Sequence, residues 1–217
     1  MKKVLITGGA GFICSNVALK LLAKGYEVTV LDNLSPQIHG EVPSETSPLY
    51  QSIFNKVKFI YGDVRNQDDW IKSIDDNEII VHFAAETGTG QSMYEIKRYV
   101  DVNIGGTALL LDLLTNQKHS VKKVVVASSR SIYGEGKYLN SKNEIVYPEA
   151  RKPEFLDKGY FDLYENDPSA PLRLLPTDES SKIHPSSIYG ITKQNQEQMI
   201  LVGCAAKKIS AIAFRYQ

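Results

Sequence analysis

Cysteine is nearly missing from this chain, with only Cys14 and Cys204 among 217 residues. Two thiols near opposite ends make no disulfide framework, which sets aside the small stapled scaffolds of oxidising compartments. Net charge is missing too: twenty-five basic residues stand against twenty-five acidic ones, and no dense basic run occurs. That removes the electrostatic footprint expected of a nucleic-acid or membrane-surface partner. No apolar run approaches the length needed to span a bilayer. The run behind Met1-Lys2-Lys3 breaks at Thr7-Gly8-Gly9, too early for a secretory leader. No repeat of fixed period is visible, and no metal site is expected. What remains is length enough for one well-buried domain, read as cytoplasmic.

The stretch that organises the rest is Thr7-Gly8-Gly9-Ala10-Gly11-Phe12-Ile13-Cys14. Before it, Val4-Leu5-Ile6 reads as a fully buried strand. After it, Ile13, Val17 and Leu21 recur at helical spacing. A strand, a glycine turn and a helix N-terminus form a ready anion site, because unpaired N–H groups and the helix dipole face a pyrophosphate. Alone this pattern is weak, and an ordinary tight turn reads the same way. Its support is Glu27-Val28-Thr29-Val30-Leu31, a second strand that ends in Asp32. A carboxylate there accepts from both hydroxyls of an adenosine ribose and repels a 2′-phosphate, which favours NAD over NADP. Cys14 replaces the third glycine of the dinucleotide pattern. A packing strain and weakened binding are expected from it.

Further strands are expected at Val57–Tyr61, Glu78–Phe83, Val121–Ala127 and Ile209–Tyr216. Helical segments between most of them call for right-handed parallel crossovers and a doubly wound α/β sheet. The segment from Asn33 to about Tyr50 reads as a loop with one short helix near Tyr50–Phe54. Asp63, at the end of the third strand, is either an acceptor for an adenine amino group or a cap for the following helix. Gln91 to about Gln117 reads as one long helical region. Its half Ala108–Leu114 is apolar nearly all round, which suits a sheet on one side and a partner subunit on the other. Residues 136–185 carry no sustained period and read as a folded insertion or a lid.

Tyr189 and Lys193 stand four residues apart, on one face of the last helix. A nearby ammonium, together with a cationic nicotinamide, stabilises a phenolate and lowers the tyrosine pKa. Ser129, at the end of the fifth strand, is placed to share a hydrogen bond with the same substrate oxygen. A Tyr-x-x-x-Lys spacing is common on surfaces. Here it follows a glycine turn, an acid and a strand ending in Ser128-Ser129, and together these carry the functional reading.

The set of motifs resembles the extended short-chain dehydrogenase/reductase superfamily, in particular its NAD-dependent nucleotide-sugar epimerase/dehydratase family. The residues that carry the resemblance are Thr7 to Ile13, Asp32-Asn33-Leu34, Gly62-Asp63-Val64, His82-Phe83-Ala84-Ala85, Asn103 with Gly106-Thr107, Ser128-Ser129, Tyr133-Gly134 and Tyr189 to Lys193. Gly88 to Ile96, Tyr133 to Gly136 and Pro176 to Glu179 narrow it toward 4-epimerases of dTDP-L-rhamnose and related nucleotide sugars. The resemblance implies a Rossmann domain over 1–217 that includes the insertion. It also implies a cofactor site of Gly8, Gly11, Phe12, Ile13, Asp32, Asn33, Asp63, Val64, Ala84, Ala85, Asn103, Tyr189 and Lys193. The catalytic residues would be Ser129, Tyr189 and Lys193, the substrate a nucleotide sugar and the assembly a homodimer.

The mechanism implied is redox epimerisation. Tyr189 takes a hydroxyl proton as hydride leaves for NAD, and the keto sugar turns over before reduction on its other face. Related dehydratases carry an acidic pair just after the serine. Arg130 and Ser131 stand there instead, which disfavours loss of water. The family's C-terminal substrate domain is expected to be absent, since the chain stops where it would begin. Two alternatives differ in class. One is a degenerate dinucleotide-binding remnant, motivated by Cys14, by Glu86 at a usually small or apolar position and by the missing domain. The other is a nucleotide-sugar dehydrogenase or reductase.

Overall fold

The computed structural model describes residues 2–165 and 170–217. Six parallel strands form one sheet: β1 (Lys3–Thr7), β2 (Glu27–Asp32), β3 (Lys58–Tyr61), β4 (Ile79–His82), β5 (Lys123–Ser129) and β9 (Ser210–Tyr216). Their spatial order is β3-β2-β1-β4-β5-β9, so the chain reverses direction across the sheet between β1 and β4. A crevice opens at such a reversal, beyond the carboxyl ends of the strands.

Strand alternation decides which helices cover which face. Val4 and Ile6 of β1 turn to one side with Val28, Val30, Val81 and the helix α1 (Phe12–Ala23). Leu5 turns to the other with Leu31, Ile80, Val124 and Val126. That second face is closed by α5 (Gln67–Ile74), α8 (Gly106–Asn116) and α10 (Ile188–Ala206). Trp70 of α5 is fully buried there, and its indole N–H donates to Val64 O at 2.7 Å.

Two details depart from the sequence reading, in the segments after Asp32 and from 91 to 117, and two bear on alternatives it left open. The segment after Asp32 holds three short helical turns instead of one: α2 (Pro36–His39), α3 (Pro43–Thr46) and α4 (Pro48–Ile53). Each begins with a proline, whose fixed φ and missing N–H suit a first helical position. The cap of α5 is Asn66, whose side chain accepts from Asp68 N–H and Asp69 N–H, so Asp63 does not cap it. The region 91–117 is broken into α6 (Thr89–Ser92), α7 (Ile96–Tyr99), a π-helical turn (Val100–Gly105) and α8. Part of the outer side of α8, at Leu111, meets Gly203 of α10 in the same chain, not a partner.

The insertion is folded. It pairs β6 (Tyr138–Leu139) with β7 (Ile145–Val146) and β8 (Arg173–Leu174), antiparallel, and adds the short α9 (Pro153–Leu156). No described residue of it lines the cleft discussed below, so the lid reading gains no support. Residues 166–169, within the insertion, lie outside the described residues. Among the described residues no helix is long and apolar enough to cross a membrane.

Candidate active site

A cleft of about 620 Å³ runs along the carboxyl edge of the sheet. Gly8, Gly11, Phe12, Ile13, Asp32, Asn33, Asp63, Val64, Ala84, Ala85, Ser129, Tyr189 and Lys193 all line it. Asn103 does not. It is fully buried behind the wall, where its amide accepts from Glu86 N–H (2.8 Å) and donates to Glu86 O (3.1 Å) and Thr192 Oγ1 (2.9 Å). Asn103 therefore holds the loop after β4 against α10.

The glycine turn is built for close approach. Gly8 has φ +68°, and a Cβ there would lie 2.9 Å from Ala84 Cα, so no other residue lets β1 and β4 open into the turn so tightly. Gly11 caps α1 without any side-chain hydrogen bond, which leaves the first-turn N–H groups facing the cleft. An anion is the natural partner of such groups. Cys14 is buried in the same cluster as Val4, Ala10 and Val30, and its backbone is ordinary helix. Burial pushes its thiol pKa far up, so it is inert.

At the far end of the turn, Asp32 is buried. It accepts from Ala10 N–H (2.9 Å) and Leu34 N–H (2.8 Å), which ties the acid to the glycine turn itself. Its oxygens keep further lone pairs for a diol. His39, also buried, brings Nε2 to 4.0 Å from Asp32, and its Nδ1 meets Ser47 Oγ at 2.8 Å. Sequence reasoning missed His39, since no local pattern marks a histidine that a proline-started turn folds back onto a strand end. Asp63 is held by Arg65 through two contacts (3.0 and 2.7 Å) and by Asn33 (3.1 Å). Burial works to raise its carboxyl pKa, and these hydrogen bonds outweigh it.

Glu86 is also matched. Arg98 meets it at 2.8 Å, meets Glu95 at 2.8 Å and donates to Gln37 at 3.1 Å. This group joins α2 to α7 beside the cleft, and nothing in the spacing of the sequence announced it.

Ser129, Tyr189 and Lys193 line one cleft, and a close contact helps set their spacing. A Cβ on Gly190 would lie 2.7 Å from Ser131 O, so glycine lets the start of α10 press against the turn after β5. Ser187 caps α10 by accepting from Gly190 N–H at 3.0 Å, and Tyr189 N–H donates to Ser92 Oγ at 3.0 Å. The tyrosine ring stands edge-on to Tyr99, centroids 6.4 Å apart. Burial raises the Tyr189 pKa in the protein alone, with the Ser129 hydroxyl working against it; the expected lowering also calls for the cofactor's positive charge. Lys193 is itself buried, which pushes its amine down to about 7, and its Nζ donates to Gln196 Oε1 at 2.8 Å.

Buried His82 is likewise pushed down to about 3 by burial. Both bases bind fewer protons folded than unfolded, so stability rises with pH through each window. The windows run from about 3 to 6.5 for His82 and from about 7 to 10.5 for Lys193. Thermal unfolding across pH should show both rises, and His82→Gln should flatten the first. An acid limb unchanged in that variant would contradict a neutral buried His82.

A parallel six-stranded sheet with this turn, acid and Ser–Tyr–Lys grouping defines a Rossmann-type dinucleotide-binding domain of the short-chain dehydrogenase/reductase kind. The NAD dependent epimerase/dehydratase family model matches residues 4–153, and the chain belongs to that family. Ser129 lies within the matched part. Tyr189 and Lys193 lie beyond it, in a region covered by whole-chain relatives. The dTDP-L-rhamnose 4-epimerase of Burkholderia thailandensis is 34% identical over 219 residues, covering 100% of this chain and 57% of that protein. A bifunctional UDP-glucose and UDP-xylose 4-epimerase of Pisum sativum is 30% identical over 180 residues, covering 80% and 51%. Among solved structures, the UDP-glucose 4-epimerase of Brucella ovis in complex with NAD superposes with TM-score 0.67 at 27% identity, over 100% of this chain and 52% of that one. The chain spans about half the length of the curated relatives it matches.

Proposed function

We propose that this chain belongs to an NAD-dependent nucleotide-sugar 4-epimerase that acts on a dTDP- or UDP-linked hexose. The observation that carries the reading is one cleft holding Ser129, Tyr189 and Lys193 at one end and the glycine turn with Asp32 at the other. The donor set fits a dinucleotide: open N–H groups at the start of α1 for the pyrophosphate, Asp32 for the adenosine ribose, and small Ala84 and Ala85 where the molecule crosses the sheet. When bound, NAD supplies a reversible hydride acceptor. Tyr189 takes the proton of the sugar hydroxyl and returns it, Ser129 hydrogen-bonds the same oxygen, and Lys193 holds the nicotinamide ribose. Arg130 and Ser131 offer no acid pair for elimination.

One ground for a degenerate remnant weakens, because Glu86 is paired with Arg98. A homodimer is supported by the apolar Leu201 and Val202, which α10 leaves exposed. Net accumulation of NADH with product would mark a dehydrogenase instead.

Calorimetric titration with NAD tests the reading, and no binding at millimolar cofactor would remove it. The ribose assignment has its own test. Asp32→Ser with Asn33→Arg should turn the preference toward NADP, since an acceptor is lost and a phosphate partner gained. Asp32 also holds Ala10 and Leu34, so NAD and NADP affinities are compared within the one variant. Unchanged preference would mean that Asp32 does not face the ribose.

A further inference from the structure

A buried line of hydrogen bonds runs from Lys193 away from the cleft, and each proton in it has one place to go. Thr107 Oγ1 sits at its centre. It donates to the Asn103 carbonyl at 2.6 Å, and His82 Nε2 and Gln196 Nε2 approach it at 3.0 and 3.1 Å. A hydroxyl has one proton and two lone pairs. With that proton on Asn103 O, both nitrogens must donate. His82 is therefore the Nε2–H tautomer, and its Nδ1 accepts from Thr7 Oγ1 at 2.9 Å. Thr7 Oγ1 accepts in turn from Ala84 N–H at 3.1 Å, on the cleft wall. The Gln196 amide is fixed by the same logic. Its NH₂ faces Thr107, so its oxygen is turned to Lys193 Nζ. Thr7, His82, Thr107 and Gln196 are all fully buried.

We propose that Gln196 is a positioning residue for Lys193, with Thr107 and His82 as the lock that keeps the amide oxygen facing the amine. The proposal rests on the role given to Lys193 above. Gln196 is the single hydrogen-bond acceptor of Lys193 among the described residues. It takes one Nζ proton and so directs the others toward the cleft. A lysine ammonium turns freely on its flexible stem, and the lock removes that freedom. An apolar side chain would fill the same space but leave the buried Lys193 amine and Thr107 hydroxyl without this partner.

The test follows the Lys193 Cε resonance through a pH titration in lysine-labelled chain. The titratable neighbours stay constant throughout. They are His82 from β4, Tyr189 from the same helix and Glu197, which is committed to Arg215 of β9. Gln196→Met removes the acceptor and should lower the Lys193 midpoint by about one pH unit, a tenfold change in proton affinity. Gln196→Glu keeps an acceptor and adds charge, so it should raise the midpoint. Thr107→Val frees the amide without touching Lys193 and should act in the direction of Gln196→Met. One shared midpoint in all four proteins overturns the proposal. NAD affinity gives a second readout, in which Gln196→Met should bind more weakly than Gln196→Glu. A filler role predicts the reverse order, since methionine suits an apolar site and glutamate does not. If the unsubstituted chain takes up no NAD, the functional reading falls and the titration still decides the role of Gln196.

Discussion

Tyr189→Phe is expected to cost turnover on the order of 10²–10⁴-fold, the range of a single proton-transfer group, and to leave NAD affinity nearly unchanged. The ring keeps its edge-on contact with Tyr99. The start of α10 is set by backbone contacts to Ser92 and Ser187, which phenylalanine retains. Only the ionisable oxygen goes. Burial raises the phenol pKa in the protein alone, so activity that needs phenolate should climb with pH. Ser129→Ala should cost less, since its hydroxyl shares the proton without being its final acceptor. Conversion of a 4-epimeric pair of nucleotide sugars by the chain extended to the full length of its relatives, followed by chromatography, measures both. Normal turnover in Tyr189→Phe would leave a dinucleotide-binding fold with no assigned chemistry.

Arg215→Met is expected to cost about 3–5 kcal/mol of stability, the usual effect of stranding one partner of a buried ion pair. Glu197 is 4% exposed and takes Arg215 through Nη2 at 2.6 Å and Nε at 3.1 Å. The same guanidinium donates to Tyr133 OH at 2.5 Å and Glu179 O at 3.2 Å, and stacks over the Tyr133 ring at 5.2 Å. One side chain of β9 thus ties α10, the turn after β5 and the exit of the insertion together. Burial works to raise the Glu197 carboxyl pKa, and Arg215 outweighs it. That contribution is present above the ordinary carboxylate range and is lost as pH falls through the lowered value. Adding Glu197→Leu to Arg215→Met should recover much of the loss in urea unfolding. Equal midpoints for the single and double variants would mean that the two groups do not act as a pair.

The strands were legible because buried parallel strands write themselves as short branched apolar runs, as in Val4-Leu5-Ile6 and Val124-Val125-Val126. The glycine turn and Tyr189 with Lys193 were legible because local spacing alone sets their geometry. What escaped depends on residues far apart in the chain. His39 reaches Asp32 only once the short turn Pro36–His39 folds back onto the end of β2. Gln196 reads as a polar helix position until His82 of β4 and Thr107 of α8 are placed beside it. The break within 91–117 escaped because no proline marks it, while the Asn103 side chain and the close packing of Gly106 on Val64 accompany a π turn there. The insertion escaped because two-residue strands have no period to read. Asp63 was found at the right strand end, but its ion pair with Arg65 two residues on was not foreseen.

The insertion enters and leaves the domain through a single pinch, where His184 N–H donates to Ile132 O at 2.8 Å and Gly136 N–H to Tyr133 O at 3.1 Å. Ser129 and Tyr189 both lie outside that pinch, on β5 and α10. The spacing of the reacting groups is thus uncoupled from the size of what hangs between them. Loop-closure entropy makes a doubling of such a segment cost only about 0.6 kcal/mol. Residues 140–175 can therefore change in length at little cost while the frame that carries the serine and the tyrosine stays as it is.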